Sequence, residues 1–381
     1  MILLLGLSAF AGALNSRVTD PFVLSISSEF RAAPESVALL ATAFAVPFAL
    51  VQPVLGPVGD ALGKRRVIRA ALCLLAVFTA LAPFAPDLFS LVVLRGLTGA
   101  AAGGIIPLTL AAVGDAVEEV RERQVALSRL IVFAIAGQVG GGAMAGVLAP
   151  FLGWRGVLGL CAALACGSAA LMLVARVPGP PEPRRRFDAA RALRRYKSIL
   201  RLPAARLLYA SVLAEGLLIF GTFPYLAPVL EARGLAAPGR GTLEAGLTVA
   251  AFGCGGFAFA ALARTLLARA GQSRMVVLGG ALAALSLFGL AVAPFAALFV
   301  AAGLALGLGF YMVHNTIQTR VTEVAPEARG SVVALHAFHF YVGQSLGPVA
   351  VGLASGLFGA GAAFALAGAG MLALGWRLGR R

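Results

Sequence analysis

Twelve apolar runs of roughly membrane-spanning length dominate this chain: about 2–27, 37–58, 67–85, 88–113, 126–150, 156–175, 207–230, 243–263, 275–293, 296–318, 332–356 and 360–376. A helix needs about 20 apolar residues to cross a bilayer, where its own hydrogen bonds must satisfy its backbone. The runs predict an all-α protein with 12 transmembrane helices. Alternating polar and apolar strands are absent, which argues against a membrane barrel. Only 12% of the residues are charged, too few to cover the surface of a soluble 381-residue chain. Turn signals separate most runs, such as Pro83 to Pro86 and Gly179-Pro180-Pro181; the last boundary, near Gly359 and Gly361, is the softest.

A net charge of +15 raises the question of nucleic acid, and the placement of the charge answers it. With the N-terminus in the cytoplasm, 25 of the 31 Lys and Arg fall on the cytoplasmic side and four outside (Arg31, Arg155, Arg233, Arg240). Arg17 and Arg95 fall within runs. That asymmetry is the positive-inside pattern of a bacterial-type inner membrane, with both termini cytoplasmic, and implies contact with anionic lipid rather than nucleic acid. Cys73, Cys161, Cys166 and Cys254 lie in apolar runs without metal-ligand spacing. The N-terminal run lacks a basic lead and a cleavage site, so it is expected to be a first membrane helix rather than a signal peptide.

The segment 176–206, "RVPGPPEPRRRFDAARALRRYKSILRLPAAR", breaks the apolar pattern with Pro and Arg. It predicts a basic cytoplasmic linker, 178–205, between six-helix bundles at 1–177 and 206–381, with a short helix along the membrane surface. The halves carry an internal repeat. At an offset of 208, "LGKRRV" (62–67) lies over "AGQSRM" (270–275), and Arg121 over Arg329. At 206, "GQVGGGAMAG" (137–146) lies over "GQSLGPVAVG" (343–352).

The turn between the second and third runs reads Gly56-x-x-Gly59-Asp60-x-x-Gly63-Lys64-Arg65-Arg66. This closely resembles the signature loop of the major facilitator superfamily. "LRGLTGAAAGGIIP" (94–107) is similar to that family's fourth helix. "GQVGGGAMAGVLAPFLGWR" (137–155) resembles the glycine-rich fifth helix of its drug and metabolite:proton antiporters. It departs at Gly142, where proline is usual, and at Ala145, where glycine is usual. The resemblance implies two pseudo-symmetric six-helix bundles around a central cavity lined by helices one, four, seven and ten. It further implies that Gly56, Asp60, Gly63, Lys64, Arg65, Arg66 and Arg121 latch the halves in one conformation. In the second half Ala268 stands where the acid would be, so a charge latch is expected on one side only. Gly137, Gly141, Gly142, Gly146, Gly343, Gly347 and Pro348 are expected to form a close seam between the bundles.

Ionisable residues inside a membrane are costly and mark candidate sites. At about 1.5 Å per residue, Arg17 and Asp20 sit about 22–27 Å up the first helix, and Arg95 reaches a similar depth from the other side. Glu215 lies lower, about 12 Å up the seventh helix, and His314, His336 and His339 share that region. Asp20, Glu215, His314 and His339 are the candidates for proton coupling. Asn15, Arg17, Arg95, Phe220, Phe223, Tyr225, Tyr311 and Asn315 are the candidates for an amphiphilic substrate cavity, with Phe22 and Phe310 beside them. No metal or other cofactor is expected. No nucleotide-binding P-loop occurs, and outside the histidines no catalytic constellation. The expectation is a monomeric secondary transporter, not an enzyme, exporting an amphiphilic, zwitterionic or anionic organic molecule against protons. An importer of the same fold, or a non-transporting receptor or membrane enzyme, are the alternatives.

Overall fold

The computed structural model describes residues 1–117, 119–175, 189–237, 241–325 and 328–380. Gly56, Asp60 and Arg121 are described only as helical backbone, and the first part of the linker, 178–188, lies outside the described residues. Among the described residues every regular element is helical. Nine of the described helices are long and apolar enough to cross a membrane. Two of these, Val120–Val174 and Gly241–Val292, are double length and break at Gly153 and Gly271. With Arg329–Phe358 added, twelve spans result. They are Ile2–Phe30, Pro34–Leu62, Lys64–Phe84, Leu88–Ala116, 120–152, 154–174, Pro203–Ala232, 241–270, 272–292, Ala296–Val324, Arg329–Phe358 and Ala360–Gly379. Both termini then lie on one side of the bundle, called the terminal side below, opposite the far side.

Four of the turns contain no loop at all. Gly63 (φ 95°), Gly153 (φ 61°), Gly271 (φ 68°) and Gly359 (φ 82°) each reverse the chain as single residues, with ψ extended. Only glycine occupies that backbone region without strain. Gly63 pairs with Gly271 at an offset of 208, and Gly153 with Gly359 at 206, the two offsets of the sequence repeat. The soft boundary near Gly359 is thus a hinge of the same kind as the other three.

Small residues bring helices together in repeat-related pairs. A Cβ on Gly99 or Gly103 in the fourth span would strike the backbone of Phe44 or Phe48 in the second. One on Gly303 or Gly307 in the tenth would strike Thr248 or Phe252 in the eighth. Each half buries its own apolar clusters, whereas large side chains such as Phe84, Phe151 and Val174 stay exposed around the outside, as a lipid-facing surface requires. The linker helix, Ala189–Leu200, lies on the terminal side, with Ile199 buried in the second half and the Tyr196 hydroxyl donating to the Pro53 carbonyl at 2.6 Å.

Candidate functional site

The first span is helical only to Arg17. Pro21 cannot donate a backbone hydrogen bond, and Asp20–Phe22 forms a short 3-10 turn before the helix resumes at Val23. The seventh span breaks identically, with Pro224 inside the turn Phe223–Tyr225. Both breaks lie toward the far side, and they pack against each other.

Polar side chains concentrate at the first break. Arg17 Nη1 meets Asp20 Oδ2 at 3.3 Å, with both side chains almost wholly buried. Its other terminal nitrogen donates to Gln344 Oε1 of the eleventh span, and its guanidinium lies 4.5 Å from the centre of the Phe220 ring and 5.7 Å from that of Phe223. One cation is therefore held by its own half through a carboxylate and by the opposite half through an amide and two rings. Arg95 is buried beside it but donates to the carbonyls of Asn15 at 2.8 Å and Ser16 at 3.5 Å, and stacks on Phe44 at 4.6 Å. Asn15 receives Thr79 Oγ1 at 3.3 Å. Asp20 Oδ1, Thr19 Oγ1 and Arg95 Nε have no hydrogen-bond partner among the described residues.

A second polar group lies toward the terminal side and entirely within the second half. Glu215 Oε2 is 2.8 Å from His314 Nδ1, and the carboxylate is fully buried. His336 approaches His314 with ring centroids 5.2 Å apart, while His339 stacks on Tyr209 at 4.8 Å. Phe310 and Phe340 wall the group off from Phe220, the ring under Arg17. No cluster of three or more His, Cys, Asp or Glu able to hold a metal occurs among the described residues.

The remaining candidates fall in different places. Phe220, Phe223 and Tyr225 are buried where the two breaks pack together, called the far-side plug below, and the Tyr225 hydroxyl donates to the Pro348 carbonyl at 2.8 Å. Tyr311 is half-buried against Phe310, and Asn315 is exposed on the terminal-side part of the tenth span. Lys64 forms an ion pair with Asp115 at the end of the fourth span, a contact within the first half rather than between halves.

The expected glycine seam is in fact two seams. Cβ atoms on Gly137 and Gly141 would meet the first span at Phe10 and Leu14, and those on Gly343 and Gly347 the seventh at Leu213 and Gly221. These four glycines pack helices within a half, and Pro348 serves as the acceptor for Tyr225 in the same half. Only Gly142 and Gly146 face across, against Val249 and Gly246 of the eighth span. Adjacent residues on a helix point about 100° apart, so Gly141 and Gly142 serve different neighbours. Sequence reading missed Gly246, Gly253 and Gln344, as well as Thr42, which donates to the Ser345 carbonyl across the halves at 2.7 Å. The offset of 206 that paired Gln138 with Gln344 was the only available signal for one of them.

Contacts between halves follow one pattern. The fifth span meets the eighth, the second meets the eleventh, and the breaks meet each other, while the fourth and tenth make no substantial contact. The named contacts across the fifth and eighth spans involve residues 139–146 and 243–253, toward the far side.

Comparison with known proteins agrees with this architecture. The family model of the Major Facilitator Superfamily matches residues 5–348. The uncharacterized MFS-type transporters YwoD and YdgK of Bacillus subtilis (strain 168) are 34% identical over 145 residues and 33% over 156, covering 38% and 40% of this chain. Those alignments span only 31% and 38% of the relatives' own length. Among solved structures, a bacterial homolog of the human lysosomal transporter Spinster, in an inward-facing and unoccupied conformation, superposes with a TM-score of 0.78 at 16% identity, over 100% of this chain and 96% of that one. A mutant form of the nucleoside transporter NupG superposes with 0.82 at 13%, over 99% and 98%. This integral membrane chain, with its repeated halves and paired helix breaks, belongs to the major facilitator superfamily of transporters.

Proposed function

We propose that the chain is a proton-coupled exporter of a small amphiphilic organic molecule bearing an anionic or zwitterionic group. It works by alternating access in a bacterial-type inner membrane, with the terminal side cytoplasmic. The observation that carries this reading is the buried far-side plug, where Arg17 binds Asp20 of its own half and Gln344 of the other. A charge held across the halves is a contact that must break when the far side opens, so ligand or proton binding can be tied to access. The excess of Arg17 and Arg95 over Asp20 favours an anionic group near the plug. The basic residues crowding the terminal side support its cytoplasmic orientation. Residues 1–177 and 206–381 would be the two moving bodies, joined by the linker.

Proteoliposomes with an imposed pH gradient test the proposal. Carboxyfluorescein as an anionic probe and ethidium as a cationic one separate the charge classes. Movement of the anionic probe against its own gradient, coupled to opposite proton movement, is expected. Cotransport in the same direction as protons would make the chain an importer, and indifference to the pH gradient would remove proton coupling.

A further inference from the structure

The cluster under the plug contains three buried polar atoms without a hydrogen-bond partner among the described residues: Glu215 Oε1 and both ring nitrogens of His336. Glu215 has no exposed surface and His336 is 3% exposed. A native interior rarely leaves such groups unsatisfied without a role. Their neighbour His314 bonds Glu215 and keeps 16% of its side chain exposed, so it connects the buried acid to the outside.

The hydrogen bonds limit where protons can sit. His339 Nδ1 lies 2.7 Å from the Leu335 carbonyl, which can only accept, so that nitrogen carries a proton as long as the bond is made. The Glu215–His314 contact has no such restriction. A carboxylate can accept from Nδ1–H, or a carboxylic acid can donate to a bare Nδ1, and the same 2.8 Å bond survives both arrangements. His336, with neither nitrogen engaged, can accept a proton or release one without breaking a bond.

Asp20 differs. Its bonded oxygen faces a guanidinium, which can only donate. A proton on its unpartnered Oδ1 would leave Oδ2 accepting from Arg17 but would remove the counter-charge of a buried guanidinium, with only Gln344 and two rings as compensation.

We propose that Glu215, His314 and His336 form a single proton-binding site, entered through His314 from the terminal side, and that Asp20 is a structural counter-ion of the plug. The surroundings leave the site to itself. The seventh span adds Tyr209, with Arg206 near its terminal-side start and Glu231 at its far end; the tenth adds Tyr311, with Arg320 and Glu323 toward its terminal-side end; and the eleventh adds His339 and Tyr341, with Arg329 as its first residue. The twelfth span, packed on the seventh, has no charged side chain before Arg377. The eighth and ninth, packed on the tenth, place Arg264, Arg269 and Arg274 near their terminal-side ends and Glu244 at the far end, with exposed Cys254 between. The linker helix puts its bases at the start of the seventh span, about 18 Å below Glu215 at about 1.5 Å per residue.

This deepens the proton-coupled reading, yet it can be tested on the purified full chain without a substrate. Infrared difference spectra across about pH 5 to 9, the histidine range, should show a carboxylic-acid band growing as pH falls. The band should vanish in Glu215→Gln, persist in Asp20→Asn, and shift its midpoint in His336→Gln. Glu215→Gln retains an amide able to bond His314; should it still fail to fold, His314→Gln must shift the same midpoint. The protein has three histidines, so ¹⁵N-histidine NMR can resolve each ring. His314 and His336 should titrate together while the Nδ1–H of His339 stays. A band that survives in Glu215→Gln, or disappears in Asp20→Asn, overturns the proposal. So does the absence of any titrating carboxyl. A titrating band in a protein indifferent to an imposed pH gradient would keep the site and refute proton-coupled export.

Discussion

The breaks in the first and seventh spans share a backbone and differ in chemistry. Thr19-Asp20-Pro21-Phe22 and Thr222-Phe223-Pro224-Tyr225 correspond at an offset of 203, and both form 3-10 turns around a proline. At that offset Arg17 corresponds to Phe220 and Asp20 to Phe223, so the cation of the pair rests on the pair's own aromatic counterparts in the other half. The reverse holds on the terminal side. Glu215 corresponds to Gly12, and at the offset of 206 His336 corresponds to Leu130. One duplicated scaffold thus carries polar groups at the far side of its first half and at the terminal side of its second. Had both halves kept charges at the breaks, like charges would meet where the breaks pack; an aromatic face opposite a cation avoids this and still binds it.

Undoing the asymmetry at the plug should have the largest effect. Arg17→Leu alone leaves Asp20 buried without its cation, a loss expected to cost about 3–5 kcal/mol and to appear as poor yield and a large drop in melting temperature. Arg17→Leu with Asp20→Leu makes the first break apolar like the second, and replacing a buried pair by hydrophobes is often neutral. The double variant should therefore regain most of the stability while its transport of the probe falls. Wild-type transport by the double variant would mean that the two breaks differ in residue type and not in function.

Next in size is the contrast between the two glycine seams. Gly146 faces Leu243 and Gly246 of the other half, with a Cβ only 2.9 Å from the Leu243 carbonyl oxygen. Gly146→Leu should hold the halves apart at the far side while each folds normally, and raise far-side labelling of an introduced cysteine. Gly141→Leu presses on Leu14 within its own half and should lower stability instead. Equal effects of both substitutions on labelling and on melting would erase the distinction between seams.

That distinction also marks the limit of what the sequence discloses. The spans, the charge asymmetry and the hinges at Gly63 and Gly271 are readable because each depends on local composition or a constant offset within the chain. The proximity of Glu215 to His314 is readable from depth alone, since a helical rise of about 1.5 Å per residue places both near one level. Which face a glycine presents is not readable at that precision. Gln344 lies 327 residues from Arg17, and only the packing of the second half against the first brings its amide to the guanidinium.

A smaller effect is expected at Tyr225, whose counterpart at the first break is Phe22. Its hydroxyl ties the seventh span to Pro348, where the eleventh span's own helical bonding is interrupted. Tyr225→Phe makes the second break match the first at this position and should cost about 1 kcal/mol, the net worth of one hydrogen bond. A melting temperature equal to wild type would leave the hydroxyl without a stabilising role.

The smallest expected effect is at the start of the fourth and tenth spans, again a polar residue in one half and an aromatic residue at the corresponding position of the other. Asp87 caps the fourth span by accepting from Ser90 N at 2.7 Å, whereas Phe295, its counterpart at the offset of 208, starts the tenth with no side-chain cap. The bonds from the Ser90 backbone and hydroxyl hold the Asp87 carboxyl below its ordinary value of 3.8. A depressed folded value means that the cap's contribution is complete above the unfolded value and fades as pH falls through the folded one. Asp87→Ala should therefore lower the melting temperature slightly and equally at pH 6 and pH 8, with the difference from wild type closing only at pH below about 4. Phe295→Asp should move the other way, since its backbone is already extended as a cap requires, at φ −154° and ψ 152°. If adding the acid there stabilises nothing, the tenth span's start depends on the burial of its neighbours rather than on a missing cap, and the two helix starts are alike only in backbone.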